Sequence, residues 1–339
     1  MIETTVNNAG MMRAFATIRG YLPISAMIPC PALATKIGVR SAWIKYEGSL
    51  PTGSFKVRGA INLASQTAAG TNLFTHSSGN WAQGIAYAGR CLNLPVTVFM
   101  KPTASELKRE RTRSWGATVL EIDGQPDQMT AIVKTQASQA GGVFVSPYDH
   151  NLIIEGHASC GVEIIHASKA LKFNTFDVVL PVSGGGLAAG VAFAVKSNFC
   201  NPTARVVCVE PQGCDDFGES LRAGSRIAIA SPRVSIADGL LANQVGECNW
   251  PVLRDNVDQA VTVSDEEMIA AMAFLFNELG IIAEPSGAST VAAGLCGKFK
   301  PEGDHTVFVV SGRNIESDAF LEMIGKTTLK KPAKKKATT

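Results

Sequence analysis

In Gly53-Ser54-Phe55-Lys56-Val57-Arg58-Gly59-Ala60 a lysine stands among small and apolar residues. Desolvation in such a setting lowers the pKa of an amine and frees it for covalent chemistry. A second stretch, Ser183-Gly184-Gly185-Gly186-Leu187-Ala188-Ala189-Gly190, follows the apolar run from Asp177 to Val182 and leads into a helix-like segment. A strand, then glycines, then a helix start makes an anion seat, because backbone amides point at the ligand and the helix dipole favours negative charge. A phosphate seat and an activated lysine are what a pyridoxal-phosphate enzyme requires, one to hold the cofactor and the other to form its Schiff base. The same glycines also fit a dinucleotide pattern. Gly184-x-Gly186-x-x-Ala189 matches it, and Glu210 closes the run Val206 to Val209 where a ribose-binding carboxylate would sit. A nicotinamide oxidoreductase therefore competes for these two stretches.

Two more stretches carry polar groups at useful places. In Thr75-His76-Ser77-Ser78-Gly79-Asn80-Trp81, the residues Ser77 to Asn80 follow an apolar turn and precede a small-residue helix. Hydroxyl and backbone donors at a helix N-terminus suit a carboxylate. Ser311-Gly312-Arg313-Asn314 directly follows the run Val307 to Val310, and the C-terminal edge of a parallel strand is where α/β folds bind ligands.

The elements that must position these groups alternate along the chain. Apolar runs at 96–100, 118–120, 142–145, 178–182, 206–209 and 306–310 have the length of buried parallel strands. Helix-like stretches lie between them. One runs from Asp265 to Leu279, with Ser264 or Asp265 to cap its start and Gly280 its end. Such alternation predicts an α/β fold with parallel sheets flanked by helices.

Composition sets the outer limits. A chain of 339 residues with 46% hydrophobic content buries a large core and is expected to divide into two domains. A charged fraction of 18% and a formal net charge of +2 call for no acidic partner. Apolar runs fall short of a membrane span, and Met1 to Asn8 lacks the basic and apolar regions of a secretory signal. The eight cysteines (Cys30, Cys91, Cys160, Cys200, Cys208, Cys214, Cys248, Cys296) include no C-x-x-C pair, so reduced thiols and a cytoplasmic location are expected. Residues 326–339 are lysine-rich and aperiodic, which predicts a disordered, solubilising tail and no nucleic-acid partner.

Taken in order, Ser-Phe-Lys-x-Arg-Gly-Ala at Lys56, Ser-x-Gly-Asn at Asn80, Ser-Gly-Gly-Gly-Leu at Gly184, Glu-Pro at Glu284 and Ser-Gly-x-Asn at Ser311 resemble the fold-type II pyridoxal-phosphate enzymes. The likeness is to the group of serine/threonine dehydratases and serine racemases. Ile236-Ala237-Asp238-Gly239, Trp250 to Asp255 and Glu284 to Ala288 extend it over most of the chain, and the nicotinamide alternative then loses its support.

The resemblance implies a two-domain, tryptophan synthase β-like fold of parallel-rich twisted sheets flanked by helices. The large cofactor-binding domain would take residues 1–47 and 151–325, the small domain residues 48–150. It also implies roles. Lys56 would form the Schiff base and take the α-proton; Phe55 would pack on the cofactor ring and Asn80 would bond its 3′-oxygen. Gly184, Gly185, Gly186 and Leu187 would bind the phosphate through their amides, and Ser311 would meet the pyridine nitrogen. Ser77, Ser78, Gly79 and Asn80 would grip the carboxylate of a small amino-acid substrate. Ser78 would also supply a second proton carrier if the enzyme racemises, as serine racemases do. Glu210, Asp216 and the backbone carbonyl of Cys214 would hold Mg²⁺ or Ca²⁺.

The implied activity is dehydration of a β-hydroxy amino acid (serine, threonine or 3-hydroxyaspartate) by a homodimer. A racemase is the first alternative. Threonine synthase or β-replacement chemistry and a fold-retaining pseudoenzyme stand behind it. Three residues depart from the family pattern: Trp81 after the asparagine turn, His157 in Glu155-Gly156-His157-Ala158-Ser159, and Arg313 in the Ser-Gly-x-Asn turn. Together they suggest a bulkier pocket wall and a positive charge suited to an acidic side chain.

Overall fold

Runs rich in Val, Ile and Phe form the strands, which sort into two sheets. The computed structural model describes residues 5–197, 203–229 and 234–328. The larger sheet contains β1 (Ala26–Pro29), β2 (Ser41–Tyr46), β7 (Phe176–Pro181), β8 (Ala204–Pro211), β9 (Gln259–Val263) and β10 (His305–Val310). Its strand order is β1-β2-β10-β7-β8-β9. The smaller sheet contains β3 (Leu73–His76), β4 (Val96–Met100), β5 (Thr118–Glu121) and β6 (Val143–Phe144), in the order β5-β4-β3-β6. Among the described residues only the β1–β2 pair is antiparallel.

Burial explains why the central strands read as unbroken apolar runs. Every residue of β4, β7 and β10 is buried, because helices cover both faces of a parallel sheet. Successive residues face opposite sides: Val178, Leu180, Val307 and Val309 enter one core, while Val179, Val207, Phe308 and Val310 enter another. A third core beneath the smaller sheet joins Val57, Ile61, Trp81, Ile85 and Val98.

Two strands differ from the sequence expectation. Leu73–His76, read as an apolar turn, is β3 and pairs with both β4 and β6. Thr118–Glu121 is a strand but not a buried one; as β5 it forms the edge of the smaller sheet, with Thr118, Leu120 and Glu121 exposed. The helix at Asp265–Leu279 forms as its caps predict. Ser264 closes a capping box with Glu267, and Gly280 ends the helix in the left-handed region at φ 64°.

The helix Lys56–Ser65 packs against the helices Asn80–Leu92 and Asn151–Ala170. It thereby lies between the elements that serve the two sheets. Among the described residues no helix is long and apolar enough to cross a membrane, and none of the described cysteines is in a disulfide. The last helix, Ser317–Thr328, takes in Lys326 to Thr328. The remainder of the lysine-rich tail, and Cys200, lie outside the described residues.

Candidate active site

A cavity of about 1120 Å³ opens at the C-terminal ends of the parallel strands of both sheets. Phe55, Lys56, Ser77, Ser78, Gly79, Asn80, Gly184, Gly185, Gly186, Leu187 and Ser311 all line it. Topology brings them there: the Ser77 turn follows β3, the Gly184 turn follows β7, and Ser311 follows β10. Edges of this kind are where open α/β sheets bind ligands.

Lys56 opens its helix, and its Nζ donates to the backbone carbonyl of Pro147 at 2.9 Å. Burial lowers its pKa to about 8. No carboxylate pairs with this amine, so desolvation acts on it unopposed. Phe55 lies beside it, with Nζ 5.2 Å from the ring centroid. The backbone amide of Phe55 donates to the carbonyl of Ser311, which draws the lysine turn toward the end of β10.

Among the helix starts that line the cavity, those after Gly185 and Gly79 carry no side-chain cap. The helix Gly186–Lys196 starts from Gly185, whose φ of 98° is open to glycine at little cost. The helix Asn80–Leu92 starts from Gly79. Uncapped first-turn amides with a favourable dipole fit anions, and the two seats suit one phosphate and one carboxylate. The glycine turn is braced from behind. Asn249 Nδ2 donates to the Gly184 carbonyl at 2.5 Å, and Gly246 N donates to the same oxygen at 3.0 Å.

Asn80 is held in one orientation. Its Nδ2 donates to Glu284 at 2.7 Å, and its Oδ1 accepts from Asn314 Nδ2 at 2.5 Å. One amide hydrogen of Asn80 remains for a ligand oxygen, which fits the role expected toward the cofactor. Glu284 is pushed up to about 7, chiefly by burial and then by Asp238, with Asn80 pulling the other way. A carboxyl that carries a proton near neutrality therefore lines the cavity. Glu284 and Asn314 stand in motifs visible in the sequence, but no role could be read for either. The Glu-Pro pair signals a helix start, which hides that its carboxyl reaches Asn80 across 204 positions of chain.

The expected metal ligands gather elsewhere. Glu210 is the penultimate residue of β8, and Cys214 and Asp216 lie in the turn and helix start that follow, outside the cavity lining. Both Glu210 oxygens already accept amides, from Phe217 at 2.9 Å and Gly218 at 2.8 Å. Burial raises its pKa to about 8; the two amides lower it and Asp216 adds to the rise. Among the described residues no three His, Cys, Asp or Glu side chains converge as a metal-holding group. A cation at this turn would rest on two carboxylates and backbone oxygen.

The three departures resolve differently from one another. Trp81 borders the cavity but is only 2% exposed; it packs into the core beneath the smaller sheet and donates Nε1 to Thr75 Oγ1 at 2.9 Å. Arg313 is exposed, lies outside the cavity lining and is near enough to Tyr46 that, against the burial that raises the phenol's pKa, its charge pulls it down. The cations that line the cavity are instead Lys56, Lys108, Arg111, Lys134 and Arg226. His157 is fully buried and meets the ring of Phe55 edge-on, with centroids 4.9 Å apart.

The chain is similar over most of its length to known proteins. The family model described as pyridoxal-phosphate dependent enzyme matches residues 19–312. An L-threo-3-hydroxyaspartate ammonia-lyase of Saccharomyces cerevisiae is 30% identical over 310 residues, covering 91% of this chain and 93% of the relative. A serine racemase of Oryza sativa subsp. indica is 30% identical over 321 residues, covering 92% of each. The structure of maize serine racemase superposes with a TM-score of 0.86 at 29% identity, covering 96% of this chain and 99% of that one.

Proposed function

Because the chain belongs to the pyridoxal-phosphate-dependent enzymes, we propose that it is an ammonia-lyase converting small β-hydroxy amino acids to a 2-oxo acid and ammonia. One observation carries the reading: Lys56, two uncapped helix N-termini and the carboxyl of Glu284 share one cavity. Pyridoxal phosphate, when bound, supplies the electron sink that makes the substrate's α-proton acidic. The chain's own residues supply the rest.

The Gly184–Leu187 turn would bind the phosphate, and Ser311 would offer the ring nitrogen a neutral hydroxyl in place of a carboxylate. Asn80, fixed by Glu284 and Asn314, orients the cofactor, and Phe55 packs on its ring. The Ser77–Asn80 turn grips the substrate carboxylate. Lys56 would hold the cofactor through Nζ, and the same nitrogen would accept the substrate's α-proton. Glu284, protonated near neutrality, gives a proton to the departing hydroxyl, which leaves as water. The released enamine hydrolyses in solution to the 2-oxo acid and ammonia.

Ser78 supports a second activity. It lines the same cavity as Lys56, and a hydroxyl on the far face of the substrate would return the proton with inversion. The racemase reading rests on that residue and on the rice relative. Mg²⁺ or Ca²⁺ at Glu210, Asp216 and the Cys214 carbonyl is a separate proposal, supported by an all-oxygen donor set. Its test is the thermal midpoint: Mg²⁺ raises it in the wild type and leaves Asp216→Asn unmoved. No response in the wild type removes the cation. A homodimer is proposed from the family likeness and is read by light scattering.

The test of the main reading is direct. Cofactor-loaded protein is given L- and D-serine, L-threonine and the 3-hydroxyaspartate isomers, and 2-oxo acid, ammonia and the chirality of residual substrate are measured. Oxo acid from one favoured substrate is expected. Inversion without oxo acid gives the racemase, and silence on all of them turns the reading to β-replacement.

A further inference from the structure

His157, on the helix Asn151–Ala170, has 0% exposure, yet neither of its ring nitrogens completes a hydrogen bond. Burial and the charge of Lys56 hold its pKa well below the usual imidazole range, against a weaker pull from the Gly186 backbone. The ring is therefore neutral, with one N–H and one lone pair both unspent. Buried polar atoms are nearly always paired, so an orphaned pair in a ring this well enclosed calls for a ligand-dependent explanation.

The surroundings supply one. On one side, a Cβ placed on Gly59 would lie 2.7 Å from Nε2, so the ring is pressed against the helix that Lys56 opens. On the other, a Cβ placed on Gly186 would lie 3.4 Å from Nδ1, at the first residue of the helix that follows the phosphate turn. Its edge contact with Phe55 completes the wedge. One imidazole thus touches both the anion seat and the residue beside the reactive amine.

We propose that His157 is a positioning residue that couples the phosphate turn to Lys56. With phosphate on the amides of the turn, Nδ1–H would donate to the backbone carbonyl of Gly186, and the ring would fix Phe55 and through it the lysine turn. A leucine of similar size would keep the packing and lose the coupling, whereas glutamine would keep a donor and an acceptor. The proposal rests on reading this cavity as the cofactor site.

The experiment uses ¹⁵N-histidine-labelled full-length protein titrated with pyridoxal phosphate, with His157→Gln assigning the resonance. Visible absorbance reports binding independently. The expected result is a shift of the His157 ring nitrogens on binding. His157→Leu should show a cofactor Kd raised roughly tenfold, ~1.4 kcal/mol, and a moved ³¹P resonance, and His157→Gln should return the Kd to within about threefold of wild type. Unmoved ring nitrogens in a protein that shows the visible band overturn the proposal, even if the leucine variant fails to fold. A folded leucine variant with wild-type Kd and ³¹P shift also overturns it. No visible band in the wild type overturns the cofactor reading itself.

Discussion

At the scale of single residues, the site depends on two groups whose charge states are set by burial. Condensation with an aldehyde needs the neutral amine. With Lys56 near 8, about one-tenth of the protein is competent at pH 7 and about nine-tenths at pH 9. Cofactor capture, followed by stopped-flow absorbance, should therefore rise ~10-fold between those pH values and then level off. A lysine at its ordinary value would go on rising past pH 10. Lys56→Ala should show no visible band at any pH. Glu284 works in the opposite sense. Its proton is present below about 7 and lost above it, so turnover of a β-hydroxy substrate should fall as pH rises through that value. Glu284→Gln should remove that limb and lower kcat by ~10²-fold, the lower range for a lost proton donor, with KM little changed. An unchanged pH profile in the glutamine variant would move the proton source elsewhere.

Elements show what the sequence reveals and what it hides. The glycine turn was legible because its requirement is local: a helix start with no side-chain cap and a residue at φ 98° calls for glycine. Gly185→Ala should weaken cofactor binding by more than tenfold. It forces a side chain into the left-handed region, and the new Cβ would approach Leu253 to 2.7 Å. Fluorescence titration against the wild type reads the effect. The Asp265–Leu279 helix was equally legible, since Ser264, Glu267 and Gly280 spell both of its ends within the segment. β3 was not. Its four residues carry no period and depend on pairing with β4 and β6 on either side. β5 misled in the other direction, because its position at a sheet edge, and not its composition, exposes it. Orientation was likewise hidden: nothing in the string turns Arg313 toward Tyr46 or Trp81 into the core.

Across the whole molecule, the reactive lysine is tied to the larger sheet by buried charges that no local pattern announces. Arg58, two residues after Lys56, donates to Glu47 at 2.6 Å and to Glu163 at 2.8 Å, and Lys45 reaches Glu163 at 2.6 Å. The hydroxyls of Ser25 and Ser159 also accept from the guanidinium. These partners come from the residue before β1, from β2, from the turn after it and from the helix Asn151–Ala170, so the cluster joins the lysine helix to elements up to 105 residues away. Two cations and two anions balance inside a space that excludes water. Removing one partner leaves an uncompensated buried charge, which typically costs about 3–5 kcal/mol. Glu163→Gln should lower stability by that order in urea unfolding. Acid adds an independent check on the same carboxylate. Burial alone would raise the Glu163 pKa, but Arg58 and Lys45 hold it at about 2 against a usual 4.5. A depressed carboxylate contributes its full stabilisation above the unfolded value and loses it as pH falls toward the folded one. The wild type should therefore lose this contribution between pH 4.5 and 2, while the glutamine variant, already without it, should show a shallower acid slope. Equal slopes would assign the acid sensitivity to other carboxylates and leave the cluster a packing device. A steeper wild-type slope, with cofactor affinity falling in Glu163→Gln, would tie the position of Lys56 to charges well outside the cavity.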